Sequence, residues 1–535
     1  MQYSTKCKGL AIVAVAVILT VGGLFVAQAE EKVLVVCQAG DVAVLDNQQS
    51  TGTSKNTLID IYDWQWVLPG TAADANGVLY STRDFQPGIV RAWETVVHED
   101  GTCTHTLYLR EDEVFHSGNP ITAADLKYAI MRRAALGRDY IHTSLGGMYG
   151  YNEDLDLHVR VVDDYTLEID AKQPMPYFWD IWAQRTYFDS KLAQANATQD
   201  DPWALKFVAK NDCGSGPYVL ESWVPGVEVQ LSRFDDYWGP APFFDRIVWS
   251  IVPDLASRIL LLKTGDVDIA LNIPMKETLS LANDPDIKLV SGPSASQLYI
   301  QMNANIEPFN NESLRWALTY AFPYDDIVTS IYAGNAQENY GPIPAGIEGA
   351  LAERRYNTDL VKAREYLVEA GYGDGVELTL DYQVGFPEHE QIGLLFKENL
   401  KQIGIDLTLR QLPSGQYQTG TQKRSLGMFM GESLQWILTA DYFMNAGFNS
   451  TSSSNFIGYK NPEFDALIIP ALQEVDARKR AEMNTRMQEI ILGDAAWIYI
   501  CQPNFVVAMR SDIVGYVVEN TQFLHVWLLS RVGGG

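Results

Sequence analysis

The chain has 535 residues, too long for one compact domain, and its 47% apolar and 20% charged residues are the balance of a chain that buries ordinary cores. Its 67 acidic residues against 40 basic ones give a formal charge of −27, which argues against nucleic acid or anionic lipid as a partner. No low-complexity run or short-period repeat is present.

The N-terminus carries Lys6 and Lys8, an apolar run over 10–26, and then Ala27-Gln28-Ala29 before Glu30-Glu31-Lys32. A basic stretch, an apolar stretch and an A-x-A site predict a signal peptide over 1–29, cut after Ala29. The alternative is an uncleaved membrane anchor; Gly22-Gly23 and the small residues at the site favour removal. Cleavage leaves 506 residues and, with two lysines gone, a formal charge of −29. No later run reaches the roughly 18 apolar residues of a membrane span, so the mature chain is expected to be soluble. It keeps Cys37, Cys103, Cys213 and Cys501. Export permits disulfides, four cysteines allow three pairings, and buried free thiols are an equal reading. There is no C-x-x-C.

Short strands and helices then alternate. Leu107 and Leu109 share one face of a strand. Thr122 with Asp125 opens a helix through about Arg133 in a variant of the capping box. Val159, Val161, Leu167 and Ile169 flank the turn Asp163-Asp164 and predict a hairpin. Val227, Val229 and Leu231 alternate with Glu228 and Gln230 as a half-buried strand. Asp254 caps a helix over 255–264 that Gly265 stops. Thr358 starts another, ended by Gly371. A strand at Val376–Tyr382, a helix marked by Ile392, Leu395, Phe396 and Leu400, and a strand at Ile405–Leu409 predict a parallel βαβ unit. The class is α/β with mixed sheets, built in more than one lobe.

Several stretches resemble the family 5 extracellular solute-binding proteins, the group of oligopeptide-, dipeptide- and nickel-binding proteins. Residues 92–133, with VFHSGNP at 114–120, are similar to that family's signature region. Further similar stretches are VVDDYTLEIDAKQPMPYF (161–178), the segment 214–239 that begins GSGPYVLESW, TGDVDIA (264–270), LRWALTYAFPYDD within 314–344, and AREYLVEAGYGDG (363–375). They run in order over nearly the whole mature chain. The resemblance implies a two-lobed periplasmic-binding-protein fold with mixed sheets, an inserted subdomain and a two-strand hinge, closing on a solute. On these matches the base lobe comprises 30–46, 206–290 and 503–535, the inserted subdomain 47–205 and the second lobe 291–502.

Asp441, in LQWILTADYFMNAGFNS (434–450), is the first candidate for ligand contact. The resemblance implies that such an Asp pairs with a ligand's α-ammonium, a charge-assisted bond costly to lose. Here Trp436 stands five residues before it and no proline follows, which departs from the family pattern. Thr51-Gly52-Thr53 and the backbone near Trp436 stand where peptide-binding relatives offer main-chain groups to an extended ligand. Trp64, Trp66, Tyr299 and Trp436 are candidate aromatic walls. Gln301, two residues from Tyr299 on the same strand face, is a candidate polar contact. His116 is read as structural.

No G-x-S-x-G elbow, P-loop or dinucleotide fingerprint occurs, and GSGPYV lacks the elbow context. The seven histidines have no H-x-x-x-H or H-E-x-x-H spacing. No catalytic residue, metal site or cofactor is expected. The expectation is a periplasmic, monomeric receptor that delivers a peptide or peptide-like solute to the permease subunits of an ABC importer, without nucleic acid as a partner. A non-peptide solute (oligosaccharide, opine, haem or metal chelate) on the same scaffold is the alternative, and a secreted hydrolase the remote one.

Overall fold

In the computed structural model the described residues are 31–50, 54–62, 66–73, 77–136, 154–174, 178–182, 186–434, 437–519 and 522–533. Their strands form five sheets. The largest has seven strands, with Val33–Gln38 near its centre. That strand runs parallel to Arg246–Ile251 on one side and to Ile269–Ala270 on the other. Its sequence, VLVVCQ, is nearly all apolar because central parallel strands are covered on both faces.

The second sheet has six strands, in the order Ala336–Glu338, Trp497–Pro503, Ser296–Met302, Met428–Leu434, Val376–Gln383 and Ile405–Leu412. The last two are parallel and joined by the helix Pro387–Gln402, as the βαβ pattern predicts. Every residue of Ser296–Met302 is buried, including Gln297 and Gln301.

Two strand pairs join these sheets. Ile287–Gly292 belongs to the first sheet and Ser296–Met302 to the second; Trp497–Pro503 belongs to the second and Phe505–Arg510 to the first. The partners stay antiparallel on both sides, with Gly292 opposite Phe505 and Leu298 opposite Cys501. At the crossing, Ser294 Oγ donates to the Pro503 carbonyl at 2.8 Å and Asn504 Nδ2 donates to Ser291 Oγ at 3.1 Å. The molecule is two-lobed, and hinge closure bends such element-terminal residues.

Two smaller sheets decorate the first lobe. One pairs Val67–Ala73 and Leu79–Pro87 with Val517–Val518; the other holds Val90–Val97, Cys103–Leu109, Thr166–Ala171 and Val159–Asp163. Among them Arg132 is fully buried. It donates to Asp46 at 2.5 and 3.2 Å, to Gln48 Oε1 at 2.8 Å and to the Trp203 carbonyl at 3.0 Å. Removing one member of such a pair costs ~3–5 kcal/mol because the other stays buried and unpaired. The cluster fixes the chain just before 51–53.

Local signals decide several boundaries. The helix Ala123–Ala135 has the full capping box of Thr122 and Asp125. Asp254 caps Leu255–Thr264, and Gly265 ends it at φ +80°. The next cap is Asp359, not Thr358; the Thr358 hydroxyl donates instead to the Phe322 carbonyl at 2.6 Å. Val227 lies in the turn before the strand Glu228–Arg233 and is exposed, whereas Val229 and Leu231 are buried as expected. Cys37, Cys103, Cys213 and Cys501, the four cysteines among the described residues, are free and buried, so the thiol reading holds and none of the three disulfide pairings forms.

Candidate functional site

Asp441 lies in the first turn of the helix Ala440–Phe448, after Thr439 in extended conformation. The free amides and dipole of a helix N-terminus favour a carboxylate there. Asp441 is 1% exposed, yet neither carboxylate oxygen has a well-formed hydrogen bond. Burial pushes its carboxyl above the usual range, while the nearby Thr439 hydroxyl, the Arg480 charge and the backbone amides of Asp441 and Tyr442 oppose this. A buried carboxylate without well-formed bonds is costly unless a cation or donor arrives.

Asp441 borders a cavity of about 50 Å³ together with Arg83, Glu348, Thr439, Arg480 and Asn484. Arg83 comes from the strand Leu79–Pro87, beside the first lobe, while the other residues come from the second-lobe segment. Arg83 is held by a fork to Asp180, at 2.6 and 2.7 Å. Burial lowers the guanidinium pKa, but the fork to Asp180 with the charges of Asp441 and Glu348 outweighs it and leaves it raised. The cavity therefore brings two carboxylates and two guanidinium groups together, a charge pattern complementary to a zwitterion.

A second cavity, of about 110 Å³, contains Tyr299 and Gln301 together with Gln383, Phe386, His389, Tyr417, Phe429 and Glu432. Tyr299 is stacked on Trp497 with centroids 4.2 Å apart, and burial pushes its hydroxyl up to about 12. Gly431 stands directly opposite Tyr299 in the neighbouring strand; a Cβ there would lie 2.4 Å from the Tyr299 ring.

The structure thus separates the expected site residues. Asp441 borders one cavity, and Tyr299 and Gln301 border the other. Trp66 borders neither: it is fully buried against Trp182, centroids 4.5 Å apart. Thr51, Gly52, Thr53, Trp64 and Trp436 lie outside the described residues. His116 is structural in form: Nδ1 meets Asp212 and Nε2 meets the Gly216 carbonyl, each at 2.9 Å. Sequence reading missed Arg83, Glu348, Arg480, His389 and Glu432. None stands in a motif; only the fold brings them together. Among the described residues no cluster of three or more metal-ligating side chains occurs.

The fold and its paired crossing strands define a receptor that closes over a solute. The model of the bacterial extracellular solute-binding proteins, family 5 (middle region) matches residues 84–455, and the chain belongs to that family. It is 27% identical to the probable D,D-dipeptide-binding periplasmic protein DdpA of Escherichia coli K12, over 90% of this chain and 91% of that protein. It is 28% identical to the glutathione-binding protein GsiB of Salmonella paratyphi A, over 88% and 92%. The periplasmic binding protein DppA of Helicobacter pylori, solved with the peptide STSA, superposes with a TM-score of 0.75 at 24% identity, over 94% of this chain and 98% of that one. The protein is a solute-binding component of an ABC importer and not an enzyme. DdpA and DppA are named as periplasmic binding proteins.

Proposed function

We propose that the solute is a peptide or peptide-like zwitterion whose free amine pairs with Asp441. The observation that carries this reading is the buried Asp441 carboxylate without a well-formed bond, facing the Arg83 side of a cavity between the two lobes. An ammonium supplies the missing charge and donors, and a ligand carboxylate finds Arg83 or Arg480. The names of the two curated relatives, a D,D-dipeptide and a glutathione binder, point to the same ligand chemistry. The cavity of about 50 Å³ fits a terminal group, and lobe opening admits the rest.

On this reading the base lobe is 30–46, 206–290 and 503–535, the inserted subdomain 47–205 and the second lobe 291–502. The signal peptide is cut after Ala29, and the mature chain acts as a monomer, without nucleic acid, on permease subunits. Melting the cargo-free protein with di- and tripeptides, glutathione and their N-acetylated forms tests it. Free-amine peptides should raise the melting temperature; equal effects of acetylated and free forms, or none from either, would refute the assignment.

A further inference from the structure

The second cavity has a chemistry of its own. Gln301 is 1% exposed and its Oε1 has no hydrogen-bond partner. His389 is 5% exposed, and neither ring nitrogen has a partner. Its Nε2 lies 3.9 Å from Glu432 Oε2, too far for a hydrogen bond. Burial lowers the His389 pKa to about 4, so the ring is neutral at pH 7 and keeps one acceptor nitrogen. Glu432 accepts from Ser296 Oγ at 2.5 Å through Oε1. Its side chain keeps 30% of its surface accessible.

The remaining walls include Tyr299, Phe386, Tyr417 and Phe429, and among the described residues no lysine or arginine lines the cavity. Acceptors with a carboxylate and aromatic faces are complementary to a donor-rich positive group. The volume of about 110 Å³ exceeds that needed for a single water several-fold and suits the tip of a side chain. Glu388, next to His389 in the chain, accepts from the Met275 amide of the opposite lobe at 3.3 Å. Ser296 begins the strand that follows one lobe crossing. The cavity therefore lies where closure is felt.

We propose that this chamber, bounded by Tyr299, Gln301, His389 and Glu432, binds a second cationic group, an alkylammonium or alkylguanidinium, and so selects basic solutes. For peptides the inference rests on the reading above, with the basic side chain entering the chamber; for free amines it stands alone.

Calorimetry on the full mature chain, freed of cargo, tests it with Gly-Lys-Gly, its norleucine counterpart and n-butylammonium. The lysine peptide should bind at least tenfold tighter than the norleucine one. Glu432→Gln should cut that ratio below threefold. Gln301→Met, which keeps shape and removes the acceptor, should cut it in part. Asp441→Asn should weaken both peptides equally, which separates the two sites. No lysine preference, or a preference that survives both variants, overturns the chamber. If neither peptide binds, the peptide reading fails and butylammonium decides: saturable binding lost in Glu432→Gln supports the chamber, and no binding refutes it. Preference for butylammonium over the lysine peptide would assign free amines as the source.

Discussion

Arg83 Nε lies 2.6 Å from Asp180 Oδ1, and its Nη2 lies 2.7 Å from Oδ2; this fork aims a guanidinium at the cavity that holds Asp441. Asp180 is buried, whereas the Arg83 side chain is 45% exposed, so the pair adds little to stability once solvent screening is counted. Its effect is positional. Asp180→Asn should change the unfolding free energy by no more than ~1 kcal/mol and weaken zwitterionic ligands about tenfold, a loss of ~1.4 kcal/mol. Denaturant titration beside calorimetry checks the split. A large stability loss with unchanged affinity would contradict it.

Asp441 sets function against stability. Its carboxyl is raised mainly by burial. The folded chain therefore keeps this proton at pH values where the unfolded chain has lost it. Stability from this group is present at low pH and is lost as pH rises through its folded pKa. Asp441→Asn should raise the melting temperature of the empty protein near pH 7, flatten that part of its pH profile, and abolish the stabilisation by free-amine ligands. A melting temperature lowered by the change would mean that the carboxylate is already satisfied.

Much of the architecture is legible because its determinants are local. Asp254 and Gly265 mark one helix with groups one residue beyond each end, and Thr122 with Asp125 marks another three residues apart. The βαβ unit shows in its alternation. Val227 misled because period-2 alternation runs on into a turn whose amide bonds to Val224. The site is less legible. Asp441 is visible as a candidate, but Arg83 and Arg480 are ordinary surface types in sequence, and their meeting is a product of lobe packing. Trp66 is ambiguous for the converse reason: an aromatic ring suits a core as well as a cleft.

The glycines of GSGPYV show what that motif does in place of a nucleophile elbow. A Cβ on Gly214 would lie 1.9 Å from the Ile61 carbonyl oxygen, and one on Gly216 2.4 Å from the Asp60 oxygen. The segment is bonded tightly in place: Gly216 N donates to Ile61 O at 2.9 Å and Tyr218 N to Asp60 O at 3.0 Å. The clash is with backbone, which no rotamer relieves. Gly214→Ala should cost ~3 kcal/mol, the upper end for overpacking. Gly415→Ala, where nothing lies within 4 Å, should be neutral or stabilise by up to ~1 kcal/mol. Urea midpoints measure both, and equal effects would show that the close approach relaxes freely.

The residue whose carbonyl meets Gly216 also carries a buried acid. The Asp60 carboxyl is pushed up to about 7 by burial, against the lowering effects of the His525 charge and the amides of Trp527 and Val526. Burial opposes charge on His525, but Glu519, 3.1 Å from Nε2, and Asp60 more than offset it, so that group too is raised. Both shifts have the same sign. Between the ordinary carboxylate range and pH 7 the folded chain holds a proton at Asp60 that the unfolded chain has released. His525 adds stability below the usual imidazole range, lost as pH rises through its higher folded value. Each proton difference slopes stability by about 1.4 kcal/mol per pH unit. Stability of the empty protein should fall from pH 5 to pH 8, and Asp60→Asn should flatten the lower part of that fall while leaving the histidine part. Unfolding titrations across this range decide: a rise with pH, or a slope untouched by Asp60→Asn, would mean that Asp60 is ionised and paired in the folded chain.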